Sequence, residues 1–349
     1  MKNSRLEAIG AYLPAEVMST PELLGYVKKA AEFDLVKVTG MNERRVADDT
    51  AEQPENSLTM AVAAARECLR RSQYAPVDVD VVISCSISRL ADGGRLQFEP
   101  SFAHRIAEEI GAARAVHFDV SNACAGMMTG VYLLDRMIRS GTVRNGLVVS
   151  GEHITPIAFT AAREMKDSRD PQFASMSVGD SAVAIVMDGA TDERDVIHDV
   201  ELVTSAEYSH LCIGKPSDES GGIAMYTDNK EMHAVERLSL WPTFHGDKLA
   251  ERGSRFADEG YDFIVHHQVG SRFVDFVNLL GRRTFGTPMP PTLSVLDKLA
   301  NTASTSHFLV LHQALAEGRI HEGAKVLMVP AASGVVAGFL SATVSSLEV

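Results

Sequence analysis

The sequence predicts an α/β fold made of two duplicated halves, and three observations lead there. Short apolar runs rich in Val and Ile alternate with longer helical patterns, as in strands buried between helix layers. The stretches "CAGMMTGVYLLDRMIRSGTVRNG" (124–146) and "NTASTSHFLVLHQALAEGRIHEG" (301–323) align without a gap at an offset of 177 residues, setting Gly141 against Gly318 and Gly146 against Gly323. The strands ahead of them, "VDVVISCS" (79–86) and "YDFIVHHQ" (261–268), correspond at an offset of 182. A repeat of this length is a duplicated half, not a short tandem unit.

The elements follow in order. After an opening strand, "VDVVISCSI", "AVHFDVSN", "GLVVSGE", "SAVAIVMD", "DFIVHHQ" and "AKVLMVPA" read as strands. Helices are predicted over 57–72, 101–110, 125–140, 232–256, 271–280 and 305–317. The polar, Gly-bearing "KPSDESGGIAMYTDNKEM" predicts a surface excursion. The halves are placed at 1–190 and 191–349.

Composition narrows the function. The 349 residues are 45% hydrophobic and 23% charged, the range of globular proteins, and no run has the length of a membrane span. A net charge of -13 opposes binding to nucleic acid or an anionic membrane. An acidic partner would need a local basic patch, for which Arg70 with Arg71, Arg252 with Arg255, or Arg272 with Arg282 and Arg283 are the candidates. The opening "MKNSRLEAIGAYLPAEV" has no signal-peptide run, and Cys68, Cys85, Cys124 and Cys212 have neither zinc nor disulfide spacing. A cytoplasmic enzyme without a metal is expected.

Within the repeat, Cys124 stands at a helix start, where N–H groups and the helix dipole favour thiolate and lower a thiol's pKa. A lone cysteine is more often a small buried hydrophobe. At an offset of 177 its counterpart is Asn301, and His267 closes the preceding second-half strand, so the duplication nominates the three as one cluster. Imidazole and amide together suit an enolate oxygen. Taken singly, "HH" reads equally well as structural histidines, and "NTAS" reads better as an Asx turn. In "VPAASGVVAG", Gly334 offers a backbone N–H which, with that of Cys124, suits an oxyanion.

The ordered set "DVSNACAGMMTGV", "GDSAVAIVMD", "VHHQVGSRF", "LANTASTS" and "SGVVAG", with "AIGAYLPAEVMSTPEL" and "VTGMNERRVA" near the start, resembles the β-ketoacyl-ACP synthase III group of the thiolase superfamily over almost the whole chain. The resemblance implies a five-layered αβαβα fold and a homodimer. It also implies acyl carrier protein or coenzyme A thioesters as partners, with phosphopantetheine arriving as part of the substrate and no resident cofactor. Cys124 would carry the acyl group, Cys124 and Gly334 N–H groups would hold the oxyanion, and His267 with Asn301 would serve decarboxylative condensation with a malonyl-type or β-ketoacyl thioester. Arg272 falls where the family carries a basic residue at the pantetheine tunnel mouth.

Three departures suggest specialised rather than housekeeping chemistry. "PAASGVVAG" replaces the family's glycine-rich ending. "AAEFDLVKVTG" lacks the tryptophan that stacks on the coenzyme A adenine, the sole tryptophan being Trp241. Met127 and Met128 follow the cysteine and would line the acyl pocket, as would the long segment "SRLADGGRLQFEPS" (88–101). Two alternatives remain at this level: an acyltransferase passing the group to a hydroxyl or amine, and a non-catalytic partner in a heterodimer. A dinucleotide-dependent dehydrogenase is excluded, since no GxGxxG follows the first strand.

Overall fold

Val- and Ile-rich runs become the strands of two sheets in the computed structural model, which describes residues 3–27, 34–91 and 95–349. The first sheet orders Ser4–Tyr12, Ser181–Gly189, Asn145–Glu152, Val81–Ser84 and Val116–Asp119. The second orders Val196–Thr204, Val336–Val344, Ala324–Val329 and Phe263–His266. In each, an antiparallel pair of long strands joins a parallel pair, so the second sheet repeats the first.

Helices Gly126–Arg139 and Ser306–Ala316 lie between the sheets and share one apolar core with both. Helices Ser57–Arg71 and Phe102–Ile110 cover the outer face of the first sheet. Leu240–Glu251 and Ser271–Phe285 cover that of the second. The result is the five-layered αβαβα arrangement.

Contact between layers is close enough that a methyl group decides it. A Cβ at Gly10 would lie 2.3 Å from the Cys68 backbone nitrogen and 2.7 Å from the Ala64 carbonyl oxygen. Only glycine lets strand Ser4–Tyr12 press onto helix Ser57–Arg71.

The sequence reading departs from the fold in identifiable places. The span 232–256 is not one helix but three, Asn229–Met232, Val235–Leu238 and Leu240–Glu251. Extended Ala234 separates the first two, and Pro242, which has no N–H to donate, sits in the first turn of the third. Strands Val196–Thr204 and Val336–Val344 and helix Pro156–Glu164 were not anticipated. The "surface excursion" folds into the hairpin Cys212–Pro216 with Ile223–Thr227 and then into the short helices.

The gapless alignment also slips. The 3-10 turn Ala123–Ala125 ahead of one central helix matches Ala303–Thr305 ahead of the other, and Ala123 and Ala303 both take positive φ, 45° and 55°. Cys124 therefore corresponds to Ser304, and Asn301 stands three positions earlier. Helix Ser306–Ala316 is three residues shorter than Gly126–Arg139, which restores the offset of 177 at Gly141 and Gly318.

The Gly10 contact yields a test. Gly10→Ala is expected to lower the unfolding free energy by about 1–3 kcal/mol, seen as a reduced urea midpoint at unchanged slope.

Candidate active site

Cys124 occupies the middle of the turn Ala123–Ala125, one turn before the central helix. Its turn packs against Ala332 and Val336, so the segment after strand Ala324–Val329 folds over the thiol. The side chain is partly exposed, onto a cavity. Burial pushes the Cys124 thiol up from its ordinary value, with smaller upward contributions from Cys212 and Glu152. Loss of water thus acts against the lowering expected from the helix start.

His267 follows strand Phe263–His266, and its N–H donates to the Val329 carbonyl at 3.2 Å. Its ring is 5.7 Å from that of His307, nearly parallel at 21°. Nδ1 is buried without a hydrogen-bond partner. Burial first, and His307 second, press the His267 pKa down to about 3, which leaves the imidazole neutral at physiological pH.

Asn301 is fixed by its backbone in the seam between the halves. Its N–H donates to Ser177 O at 2.9 Å, and its carbonyl accepts from Gly179 N at 3.0 Å. Oδ1 accepts from the Ala303 N–H at 3.0 Å, so the Asx turn is real. That bond orients the amide and leaves its NH2 for a ligand. Arg44, fully buried, donates to Met176 O and Val178 O at 2.6 and 3.0 Å and braces the segment that holds Asn301.

Cys124, His267 and Asn301 line one cavity of about 140 Å³. Gly334 is not among the residues lining it, although Ser333 and Val335 on either side are. With φ of 136°, which glycine tolerates, it shapes the turn that brings those two to the cavity. Met127 and Met128 are a correction, for both are fully buried in the core between the sheets and neither reaches the cavity. The cavity's methionines are Met225 and Met232.

A second cavity adjoins the first, and the two share Ala174 and Ser177 as well as Asn229, His233, Leu238, Val269 and Phe273. Leu35, Val38, Phe276 and the exposed Arg272 line this outer part, which forms a mouth leading to the thiol. In the expected tryptophan segment residues 30–33 lie outside the described residues, as do 92–94 of the stretch 88–101.

Sequence reading missed the inner wall. Cys212, Thr227, Asn229, Arg237 and Trp241 come from the supposed surface excursion and the helices after it. Asn229, His233 and Arg237 recur every four residues, but extended Ala234 separates their helices, so the spacing marks no common helical face. No helix among the described residues is long and apolar enough to cross a membrane.

Comparison with known proteins identifies the family and the fold. The family described as 3-oxoacyl-[acyl-carrier-protein (ACP)] synthase III matches residues 118–206, and its C-terminal part matches 252–343. A β-ketoacyl-[acyl-carrier-protein] synthase III of Deinococcus deserti is 30% identical over 94% of this chain and 87% of its own. One from Bacillus pumilus is 27% identical over 97% and 98%. Among solved structures, the synthase III of Aquifex aeolicus superposes with a TM-score of 0.78 at 23% identity, covering 97% of this chain and 99% of its own. Xanthomonas campestris OleA with lauric acid and lauroyl-CoA reaches 0.82 at 20% identity, over 98% and 99%. The priming β-ketosynthase of the R1128 polyketide pathway reaches 0.80 at 24% identity, over 99% and 97%.

The raised thiol pKa predicts a pH profile. A thiol whose pKa lies above the ordinary value is protonated at neutrality, so alkylation of Cys124 by iodoacetamide, followed by intact mass, is expected to rise about tenfold per pH unit from 7 to 9. A plateau near pH 7 is the opposite result.

Proposed function

The chain belongs to the β-ketoacyl-ACP synthase III family, and from that premise we propose that it joins an acyl group held on Cys124 to a malonyl-type thioester by decarboxylative Claisen condensation. As a member, it is a ketosynthase acting on acyl thioesters. The convergence of Cys124, His267 and Asn301 on one cavity carries the finer reading.

In the first step the Cys124 sulfur attacks the donor thioester carbonyl. The C–S bond to the donor breaks, and the departing thiolate takes the proton that the cysteine gave up. The tetrahedral oxyanion is held by the Cys124 N–H with a second donor from the Ala332–Val335 turn, where Gly334 is our assignment. In the second step the extender's thioester oxygen accepts from the neutral His267 ring and the Asn301 NH2. As carbon dioxide leaves, the electron pair of the broken C–C bond forms the enolate, whose carbon attacks the acyl-enzyme and releases the Cys124 thiolate.

Neutral donors suit this step, since they meet the negative charge only as it forms. The same property disfavours transfer to a hydroxyl or amine, which needs a base. An imidazole with its pKa near 3 takes a proton poorly. Donors carried by acyl carrier protein or coenzyme A would pass Arg272 at the mouth, where its guanidinium could meet a phosphate. The altered "SGVVAG" turn and the chamber built by residues 212–241 support a place in specialised rather than housekeeping metabolism.

A homodimer is part of the proposal. Strand Val116–Asp119 is the uncovered edge of the first sheet, and Val116 is 60% exposed. Leu96 and Phe98, 53% and 74% exposed, precede the helix that packs on that strand. An open apolar edge of this kind pairs readily with a second copy.

Two experiments test these readings. Intact mass after incubation with acyl-CoA and acyl-ACP donors is expected to show acylation in the native chain, in His267→Ala and in Asn301→Ala, but none in Cys124→Ala. Carbon dioxide release from malonyl thioester should fall by about 100-fold or more in the two acylating variants. In the native chain it should stay level between about pH 5.5 and 8, because the neutral form of a histidine with lowered pKa persists throughout. Discharge onto an alcohol without carbon dioxide release overturns condensation. Light scattering is expected to give twice the chain mass, and the chain mass alone for Val116→Lys.

A further inference from the structure

Beyond the shared neck, the chamber wall is mostly aliphatic, aromatic and thioether, and Arg237 stands in it as a polar interruption together with Thr227 and Ser333. Its side chain is only 8% exposed. Arg237 lines the inner cavity that holds Cys124 and is absent from the lining of the mouth. A pantetheine arm entering past Arg272 would meet Asn229, His233 and Phe273 first, and its thioester end and the acyl group would enter the cavity that holds Cys124 and Arg237.

The guanidinium is half used. Nε donates to the Glu231 carbonyl, and Nη2 pairs with the Glu231 carboxylate at 2.5 Å. The group lies over the Tyr208 ring at 4.7 Å. Nη1, with two N–H groups, has no partner among the described residues. Enclosing donors without acceptors is costly, more so for a charged group, and a wholly alkyl ligand would leave them unpaired. Glu231, itself 48% exposed, balances the charge, so Nη1 presents directed N–H groups more than net charge. That suits a carbonyl or hydroxyl oxygen as well as a carboxylate.

Resting on the condensing-enzyme reading, we propose that Arg237 binds an acceptor oxygen on the acyl chain, so that this protein takes acyl thioesters functionalised away from the thioester carbon rather than plain alkyl ones. The extender's own carboxylate is the poorer occupant. Holding that carboxylate would stabilise the ground state against loss of carbon dioxide and slow the step the site performs.

The test uses matched pantetheine thioesters in a length series: succinyl, glutaryl and adipyl; 4-oxopentanoyl and 5-oxohexanoyl; pentanoyl, hexanoyl and heptanoyl. Initial rates of Cys124 acylation are read by intact mass. At one length or more, an oxygen-bearing donor is expected to react at least about tenfold faster than its alkyl match, a difference of about 1.4 kcal/mol. Arg237→Met should bring the two to parity by slowing the oxygen-bearing donor alone. The keto and carboxyl arms separate a neutral oxygen from an anion.

Alkyl donors that equal or exceed every oxygen-bearing one in the native chain overturn the proposal. So does Arg237→Met slowing both classes alike, which would make Arg237 a structural tie to Glu231. Should Arg237→Met fail to fold, Arg237→Gln, which can still donate to Glu231, serves in its place. Thermal shift of Cys124→Ala with the same thioesters reads the preference without covalent chemistry. If no donor labels Cys124, the condensation reading falls, while those shifts still decide the role of Arg237.

Discussion

A single buried carboxylate holds together the parts from which the site is built. Glu152 ends the strand Asn145–Glu152 and is fully enclosed. It accepts from the backbone N–H groups of Ile87 and Ser88 at 3.0 and 3.1 Å and from the hydroxyls of Ser88, Ser150 and Ser304 at 2.9, 3.0 and 2.5 Å. Ser304 belongs to the second half, where it is the counterpart of Cys124. The carboxylate therefore fastens the start of one central helix to the sheet that carries the other. A buried charge left without such donors would be costly, and here every donor also fixes an element.

From that seam the electrostatics of the site follow. The two 3-10 turns meet beneath the cavity, and the nearby groups are withdrawn from water together. Desolvation acts on each in the direction of its neutral form, up for the Cys124 thiol and down for His267 and for His307, the latter to about 4. Burial also raises Glu152, whose charge adds a little to the rise at Cys124. The resting site thus has a protonated thiol and an uncharged imidazole. Neutral groups held in place in this way suit chemistry in which charge appears on the bound molecule.

How far this was legible in the sequence depended on the kind of signal. Strands such as Val81–Ser84 and Ala324–Val329, buried at nearly every residue, announced themselves as unbroken apolar runs. The duplication was visible because Gly141 and Gly318 both end central helices with positive φ, which glycine tolerates. Alignment by spacing alone, however, equated Cys124 with Asn301, since it cannot see that one helix is a turn shorter. It selected residues that do share a cavity, but the equivalence behind the choice belongs to Ser304. Met127 and Met128 were misplaced for a related reason. The central helix is enclosed by both sheets, so being near the cysteine in sequence did not put them on the cavity side. Hairpin Cys212–Pro216 and Ile223–Thr227 was hidden because its polar, Gly-bearing composition is that of an exposed loop, and in fact much of it is exposed.

That hairpin and the helices after it clarify how a duplicated scaffold acquires an individual chamber. The chemistry sits where the halves resemble each other, at strand ends and helix starts, and those positions are tied to a sheet on both sides. Residues 212–238 fill the place that residues 16–46 take in the first half, but they fold into different short pieces with their own ties, such as Ser217 to Glu164 and Arg237 to Glu231. Changes there can reshape the wall around the acyl group without moving Cys124, His267 or Asn301, which take their positions from the sheets and the seam. The same division explains Trp241: it is 2% exposed, wedged edge-on against His266 and Phe285, and forms the inner end of the chamber from a helix outside the second sheet. A core common to both halves thus holds Cys124, His267 and Asn301, and a separately folded segment supplies the wall that faces them.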